Sequence, residues 1–189
     1  MTADADYPGL HREVAPDDEA FELVLTHCEI VWAIARQLID TGGLAVDVEL
    51  VRAGCLVHDI GVHLLGEAAY IRHGVLGEAL LRERGFPEKL ARFCSHHTGV
   101  GLTREDIERQ QLPLPVDDYL AETAEERLVM YADKFHSKTT PPVFLTAASY
   151  AARVRRFGDA HAARFAEMVR EYGEPDLTEL SRHHRHPVV

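Results

Sequence analysis

The chain has 189 residues, 46% of them hydrophobic and 27% charged, a composition that supports one core of ordinary domain size and excludes a globally disordered polypeptide. Its 20 lysines and arginines face 31 aspartates and glutamates, and the net charge of −11 repels phosphate backbones, which argues against a general nucleic-acid-binding protein. Three widely spaced cysteines, Cys28, Cys55 and Cys94, form neither a CxxC pair nor a disulfide framework, and so point to a reducing compartment. No stretch approaches the ~18 apolar residues of a membrane span, and the acidic N-terminus lacks the apolar segment of a signal peptide. The expected location is the cytoplasm.

Residues 1–15 read as a loose lead-in. A helix is predicted over 16–41: Pro16 suits a first turn, Asp17, Asp18 and Glu19 favour the positive end of the dipole, and Gly42-Gly43 stops it. Phe21, Val24, Leu25, Cys28, Val31, Trp32 and Ala35 share one apolar face, while Leu23, Ile30 and Ile34 extend it, so most of this helix should be buried. Further helices are predicted over 47–59, 67–84 and 87–97, each ended or opened by a glycine or proline. Thr103-Arg-Glu-Asp106 and Thr123-Ala-Glu-Glu126 resemble capping boxes that start two more. Between them the prolines of residues 112–119 forbid a helix and predict an extended surface loop. A last helical region, 143–172, should be interrupted or kinked at Gly158, and residues 173–189 read as a flexible tail. With no segment showing period-two alternation between turn signals, the fold class is all-α, a helical bundle over residues 16–172.

Histidine is the compositional outlier, at 12 residues. Leaving aside His11, His183, His184 and His186, the notable acid and imidazole groups are His27, His58-Asp59, His73, His96-His97 and Asp133, spread over separate helices or their ends. Such groups suit iron, manganese, zinc or nickel, and can converge inside a bundle. Taken alone, a hydrogen-bonded core histidine accounts for His27 more simply than a ligand does. His58-Asp59 places a neutral donor and an anion side by side where Ile60-Gly61 releases the helix, and a carboxylate at that end opposes the helix dipole. Asp133 lies in an apolar helical run, where an unpaired acid costs several kcal/mol. Its neighbour Lys134 should point ~100° away, which leaves a metal as the sharper candidate for the counter-ion.

With His27, then His58-Asp59 in His-Asp-Ile-Gly, then Asp133 in Tyr-Ala-Asp-Lys, the chain resembles the HD superfamily of metal-dependent phosphohydrolases in its order H…HD…D. His73 in Ile-Arg-His-Gly and His96-His97 in Ser-His-His-Thr-Gly resemble the added ligands of its two-metal members. The resemblance spans residues 17–138 and implies an HD-domain-like bundle in which His27, His58, Asp59 and Asp133 hold one ion. Asp59 would bridge to a second ion held by His73 and one or both of His96 and His97, His97 being the better candidate. The implied cofactor is a divalent transition metal, two ions of iron or manganese first, with zinc, nickel, cobalt or magnesium as alternatives. The implied substrate is a small phosphorylated molecule, a nucleotide foremost. Two divalent ions, two aspartates and a hydroxide sum to about +1, a charge suited to phosphate. Lys134, His63, Arg72 and Arg104 are candidates for contacting its oxygens.

Departures narrow the expectation. Val62 stands where several relatives carry lysine or glutamate, which argues against single-metal nucleotidases and guanosine-tetraphosphate hydrolases. Thr98-Gly-Val-Gly101 lacks a Gly-Tyr-Pro motif, so a cyclic-di-GMP phosphodiesterase is not indicated. Leu23 offers no acid for a third ion. Two other readings stay open: a mixed-valent di-iron oxygenase of the same architecture, and a non-catalytic HD module serving as a regulatory scaffold.

Overall fold

The longest apolar run in the sequence builds the central element of the protein, for which a computed structural model describes residues 5–189; residues 1–4 of the expected lead-in lie outside them. Asp17 caps α2 (Asp18–Gly42) by accepting a hydrogen bond from the Ala20 amide, and Gly43 ends it in the left-handed region. Val24, Cys28, Ile30, Val31, Ile34 and Ala35 are fully or almost fully buried, so α2 is enclosed on most sides. It packs against α3 (Val48–Val57), capped by Asp47, and against α7 (Ala124–Asp133). Helix α4 (His73–Glu83) lies on α5 (Glu88–Ser95), and α5 closes on α3 and α7. Both expected capping boxes form, at Thr103 before α6 (Arg104–Gln110) and at Thr123 before α7. The loop 112–119 is irregular as expected, its Tyr119 bridged to Leu102.

The all-α reading is correct, with one small exception. Helix α7 stops at Asp133, and β1 (His136–Ser137) pairs antiparallel with β2 (Val143–Phe144) across the Pro141-Pro142 turn. A strand of two residues is too short to register as alternation. The last helical region begins with β2 and continues as α8 (Ala147–Val154) and α9 (Asp159–Tyr172), interrupted as expected at Gly158 with φ 114°. The helix predicted from residue 67 begins instead at His73, because Gly66 turns with positive φ and the Ala68 amide bonds back to Leu65.

Both ends of the chain are more structured than the sequence reading allowed. The expected lead-in contains α1 (Tyr7–Val14), capped by Asp6, with Tyr7, Leu10 and His11 buried. His11 Nε2 lies 2.8 Å from the Leu56 carbonyl, which can only accept, so Nε2 carries the proton and Nδ1 accepts from His63 Nε2 at 3.0 Å. The expected flexible tail holds α10 (Thr178–His184), anchored by buried Leu177, and then runs beside β2: the Phe144 amide donates to the Pro187 carbonyl and the Val189 amide to Phe144. Polar composition concealed these main-chain bonds. Among the described residues no helix is long and apolar enough to cross a membrane.

The turn that follows α3 is set by Gly61. A Cβ on Gly61 would stand 2.0 Å from the His73 carbonyl oxygen and 2.4 Å from the Gly77 nitrogen, both backbone atoms of α4. Gly61→Ala is therefore expected to cost roughly 3 kcal/mol in urea unfolding. A second expectation concerns pH. Burial, then the neighbouring His11, pushes His63 down to about 4, and burial also lowers His11. The folded protein thus binds fewer protons than the unfolded chain below the ordinary histidine range, so acid favours unfolding. The melting temperature of metal-free protein should fall as pH is lowered from ~6.5 toward 4.

Candidate metal centre

Six side chains from five helices meet at one point. His27 comes from the middle of α2, His58 and Asp59 from the end of α3, and His73 from the first residue of α4. His97 lies just beyond α5, and Asp133 is the last residue of α7. Asp59 has left the helix (φ −105°, ψ 9°), which lets its carboxylate turn toward the same space as His58.

The Asp59 carboxylate faces two ways. Oδ2 lies 3.2 Å from His27 Nε2 and 3.5 Å from His58 Nε2; Oδ1 lies 3.3 Å from His73 Nε2 and 3.4 Å from His97 Nε2. Asp133 Oδ1 completes the first group, 3.0 Å from His27 Nε2 and 3.5 Å from His58 Nε2. The donors thus form two sets that share Asp59, one of His27, His58, Asp59 and Asp133, the other of Asp59, His73 and His97, and each could hold a metal ion. Bonds of ~2.0–2.2 Å from a common ion hold neighbouring donors about 3.0–3.5 Å apart, the separations found.

Proton placement supports the same conclusion. Nδ1 of His58, His73 and His97 lies 2.7–2.9 Å from the carbonyls of Cys55, Tyr70 and Phe93, respectively. Carbonyls only accept, so each Nδ1 carries a proton and each neutral ring turns a bare Nε2 inward. His73 Nε2 and His97 Nε2 then face each other at 3.1 Å with lone pairs opposed, an arrangement that a cation relieves and a hydrogen bond between neutral rings cannot. Burial, partly offset by Asp59, pushes His73 down to about 4, and burial lowers His97, so both stay neutral and able to ligate at neutral pH.

The expectation that Lys134 would point away from Asp133 is corrected, and a second lysine, Lys138, meets Asp59. Lys138 pairs with Asp59 Oδ2, and Lys134 pairs with Asp133 Oδ2 while also donating to the His97 carbonyl at 3.0 Å. Lys134 keeps helical backbone angles (φ −72°, ψ −12°) at the end of α7, and its long, flexible side chain bridges the divergence to reach its sequence neighbour. Burial raises both carboxyls, but Lys138 with His58 at Asp59, and Lys134 with His27 at Asp133, override it and hold both well below the usual carboxylate range. These lysines neutralise the acids, His27 Nε2 lies against Asp133 Oδ1 at 3.0 Å, and His73 Nε2 and His97 Nε2 face each other without a shared proton.

Other sequence candidates lie elsewhere. His96 turns away, its Nδ1 2.6 Å from Ser95 Oγ and its ring against Tyr119, in a separate polar recess. His63 is committed to α1 through His11. Arg72 is exposed, and exposed Arg104 pairs with Asp117. What the sequence reading missed is Lys138, Tyr70 and His136. Tyr70, largely exposed, flanks Lys138. His136 Nδ1 lies 2.9 Å from His27 Nδ1; burial, then His27 and His186, pushes it down to about 2. The available signal was the alternation of His136 and Lys138 directly after the Asp133 helix.

Residues 24–138 match the model of the HD domain family. The chain belongs to that family. An uncharacterized protein of Methanocaldococcus jannaschii is 47% identical over 115 residues, covering 59% of this chain and 65% of that protein. The tRNA (cytidine(56)-2′-O)-methyltransferase of Picrophilus torridus is 36% identical over 66% of this chain but only 34% of its own length, and that of Thermoplasma volcanium is 39% identical over 46% and 24%. The chain therefore spans less than two thirds of each of these relatives. Among solved structures, the HD domain of the L. monocytogenes phosphodiesterase PgpH shares the fold at 15% identity, with a TM-score of 0.54 covering 96% of this chain and all of that one. The same domain in complex with cyclic-di-AMP aligns with a TM-score of 0.52 at 16% identity, covering 89% of this chain and 96% of that one.

The donor geometry predicts the response of the HD centre to substitution. Titrated with manganese(II), the wild-type protein should take up two equivalents and His73→Ala one, as read by metal analysis after desalting. A His73→Ala protein that still binds two would remove His73 from the donor set.

Proposed function

We propose that this protein is a metal-dependent phosphohydrolase, a phosphomonoesterase or phosphodiesterase, acting on a small phosphorylated substrate of nucleotide type. The observation that carries the reading is one carboxylate shared between two imidazole sets, opening onto a cavity with lysines at its mouth. His27, His58, Asp59 and Asp133 would hold one ion, and Asp59, His73 and His97 the second. When bound, two such ions supply a Lewis acid for a phosphoryl oxygen and an activated water.

The chain's own residues support the rest. The recess at Asp59, His73 and His97 continues through Tyr70, Thr98, Asp133 and Lys138 into a cavity of about 420 Å³. Lys134 and Lys138 line that cavity; once metal charge meets the carboxylates, both ammonium groups are surplus positive charge directed at an anion. Farther walls come from α8 and the segment after it, among them Tyr150, Arg153, Val154, Arg156 and Phe157, with the Arg156 guanidinium 4.9 Å from the Phe157 ring centre. Leu112 adds a wall from the loop before α7. Cations beside aromatic and aliphatic surface suit a phosphate attached to a planar base. The PgpH domain solved with cyclic-di-AMP supports a nucleotide by analogy. The net charge of −11 disfavours extended RNA even though two relatives are tRNA methyltransferases.

The test is phosphate release, or loss of the phosphodiester, across a panel of nucleoside mono-, di- and cyclic phosphates with manganese(II) restored. Lys138→Met should lower kcat by about 100-fold while two ions still bind. No turnover of any phosphoester by metal-loaded protein would contradict the assignment, and oxygen consumption with an organic substrate would favour the di-iron oxygenase.

A further inference from the structure

The proposed ligand His27 is the first member of a chain of three histidines that ends in the C-terminal segment. His27 Nδ1 lies 2.9 Å from His136 Nδ1, and His136 Nε2 lies 3.0 Å from His186 Nδ1. Successive rings stack with centroids 5.2 Å apart and interplanar angles of 28° and 21°. His27 and His136 are buried, whereas His186 is partly exposed and lines a surface recess with Glu19 and Glu22. The position of His186 is fixed by its own backbone: its carbonyl accepts from Ser181 Oγ at 2.7 Å, and the next residues run beside β2. Among the described residues the partner of His27 Nδ1 is His136 Nδ1 and no main-chain carbonyl, in contrast to His58, His73 and His97.

A chain of neutral imidazoles has two proton orders. In one, His27 Nδ1–H donates to His136 Nδ1, His136 Nε2–H donates to His186 Nδ1, and His27 Nε2 is left bare among the carboxylates. In the other, His186 donates to His136 and His136 to His27, which moves the His27 proton to Nε2 and blocks it as a ligand. The order at the outer end therefore fixes the tautomer at the inner end.

We propose that His136 and His186 are positioning residues that set the metal-binding tautomer of His27, so that the C-terminal segment is part of the metal centre. This rests on the reading of His27 as a ligand. It goes beyond the donor set by making a residue in the last turn of the chain control the affinity of the first ion and leave the second unaffected, since His73 and His97 take their tautomers from Tyr70 and Phe93.

The experiment is cobalt(II) titration of the full chain, followed by visible absorbance, for wild type, His186→Phe, His186→Asn and His27→Ala, with a thermal melt of each metal-free protein. Phenylalanine keeps the stack and removes the acceptor; asparagine puts an oxygen near the place of Nδ1. His186→Phe should weaken the first ion by about 10-fold or more, leave the second unchanged, and melt like wild type, and His186→Asn should restore most of the affinity. Unchanged affinity in His186→Phe overturns the proposal. So does an equal loss in both His186 variants, which would mean that the segment acts by packing. If His27→Ala binds the first ion as wild type does, the metal-centre reading itself fails; if only His27→Ala is impaired, that reading stands and the relay does not.

Discussion

Everything at this centre depends on one buried carboxylate facing two ways. Asp59 can place Oδ2 among His27 and His58 and Oδ1 against His73 and His97 only because α3 ends at Val57 and the backbone then turns tightly under α4. That turn is tolerated at Gly61 alone, where any side chain would collide with the α4 backbone. The Asp-Ile-Gly sequence is thus a packing requirement as much as a chemical one: the glycine brings α4 close, and α4 brings His73 to Asp59. Burial of α2 on most sides does the same for His27, whose ring could not stay in an apolar interior without the polar groups it meets there.

Charge balance explains how such a site persists in a folded chain without metal. Two carboxylates buried together are costly, and Lys138 and Lys134 supply equal and opposite charge at short range. Removing Asp59 would leave the half-buried Lys138 ammonium without its partner, so the acid has a structural part in the metal-free protein. Under the proposed reading, metal uptake and anion affinity would be linked, because an ion that took over a carboxylate would leave an ammonium in want of one.

Much of this was legible in the sequence, for reasons that differ by residue. Asp133 could be named because an acid in an apolar helical run is expensive, and His58-Asp59 because they stand where Ile60-Gly61 releases the helix, whereas His27, His73 and His97 became candidates through the order and motifs of the HD resemblance. Helix starts at Thr103 and Thr123 were readable because capping is local chemistry. Lys138 and His136 were missed because His136 stands on a two-residue strand and Lys138 directly after it, and the direction of that segment depends on pairing with Val143 and Phe144. His11 and His186 were set aside with the chain ends, since nothing local shows that α1 docks on Leu56 or that the tail runs beside Phe144. His63 and Arg104 fail for the opposite reason: spacing along the chain suggested proximity to the site, while packing turned one toward α1 and the other to solvent. His96 and His97, adjacent in sequence, separate into different recesses because α5 ends between Ser95 and His97 and their rings diverge.

The central claim, that Asp59 joins two metal ions, is tested most directly by anomalous diffraction from crystals of manganese-loaded protein. The account predicts two peaks about 3.5–4 Å apart, one beside His27, His58, Asp133 and Asp59 Oδ2, the other beside Asp59 Oδ1, His73 and His97. A single peak under saturating metal, or two peaks of which neither touches Asp59, would contradict it.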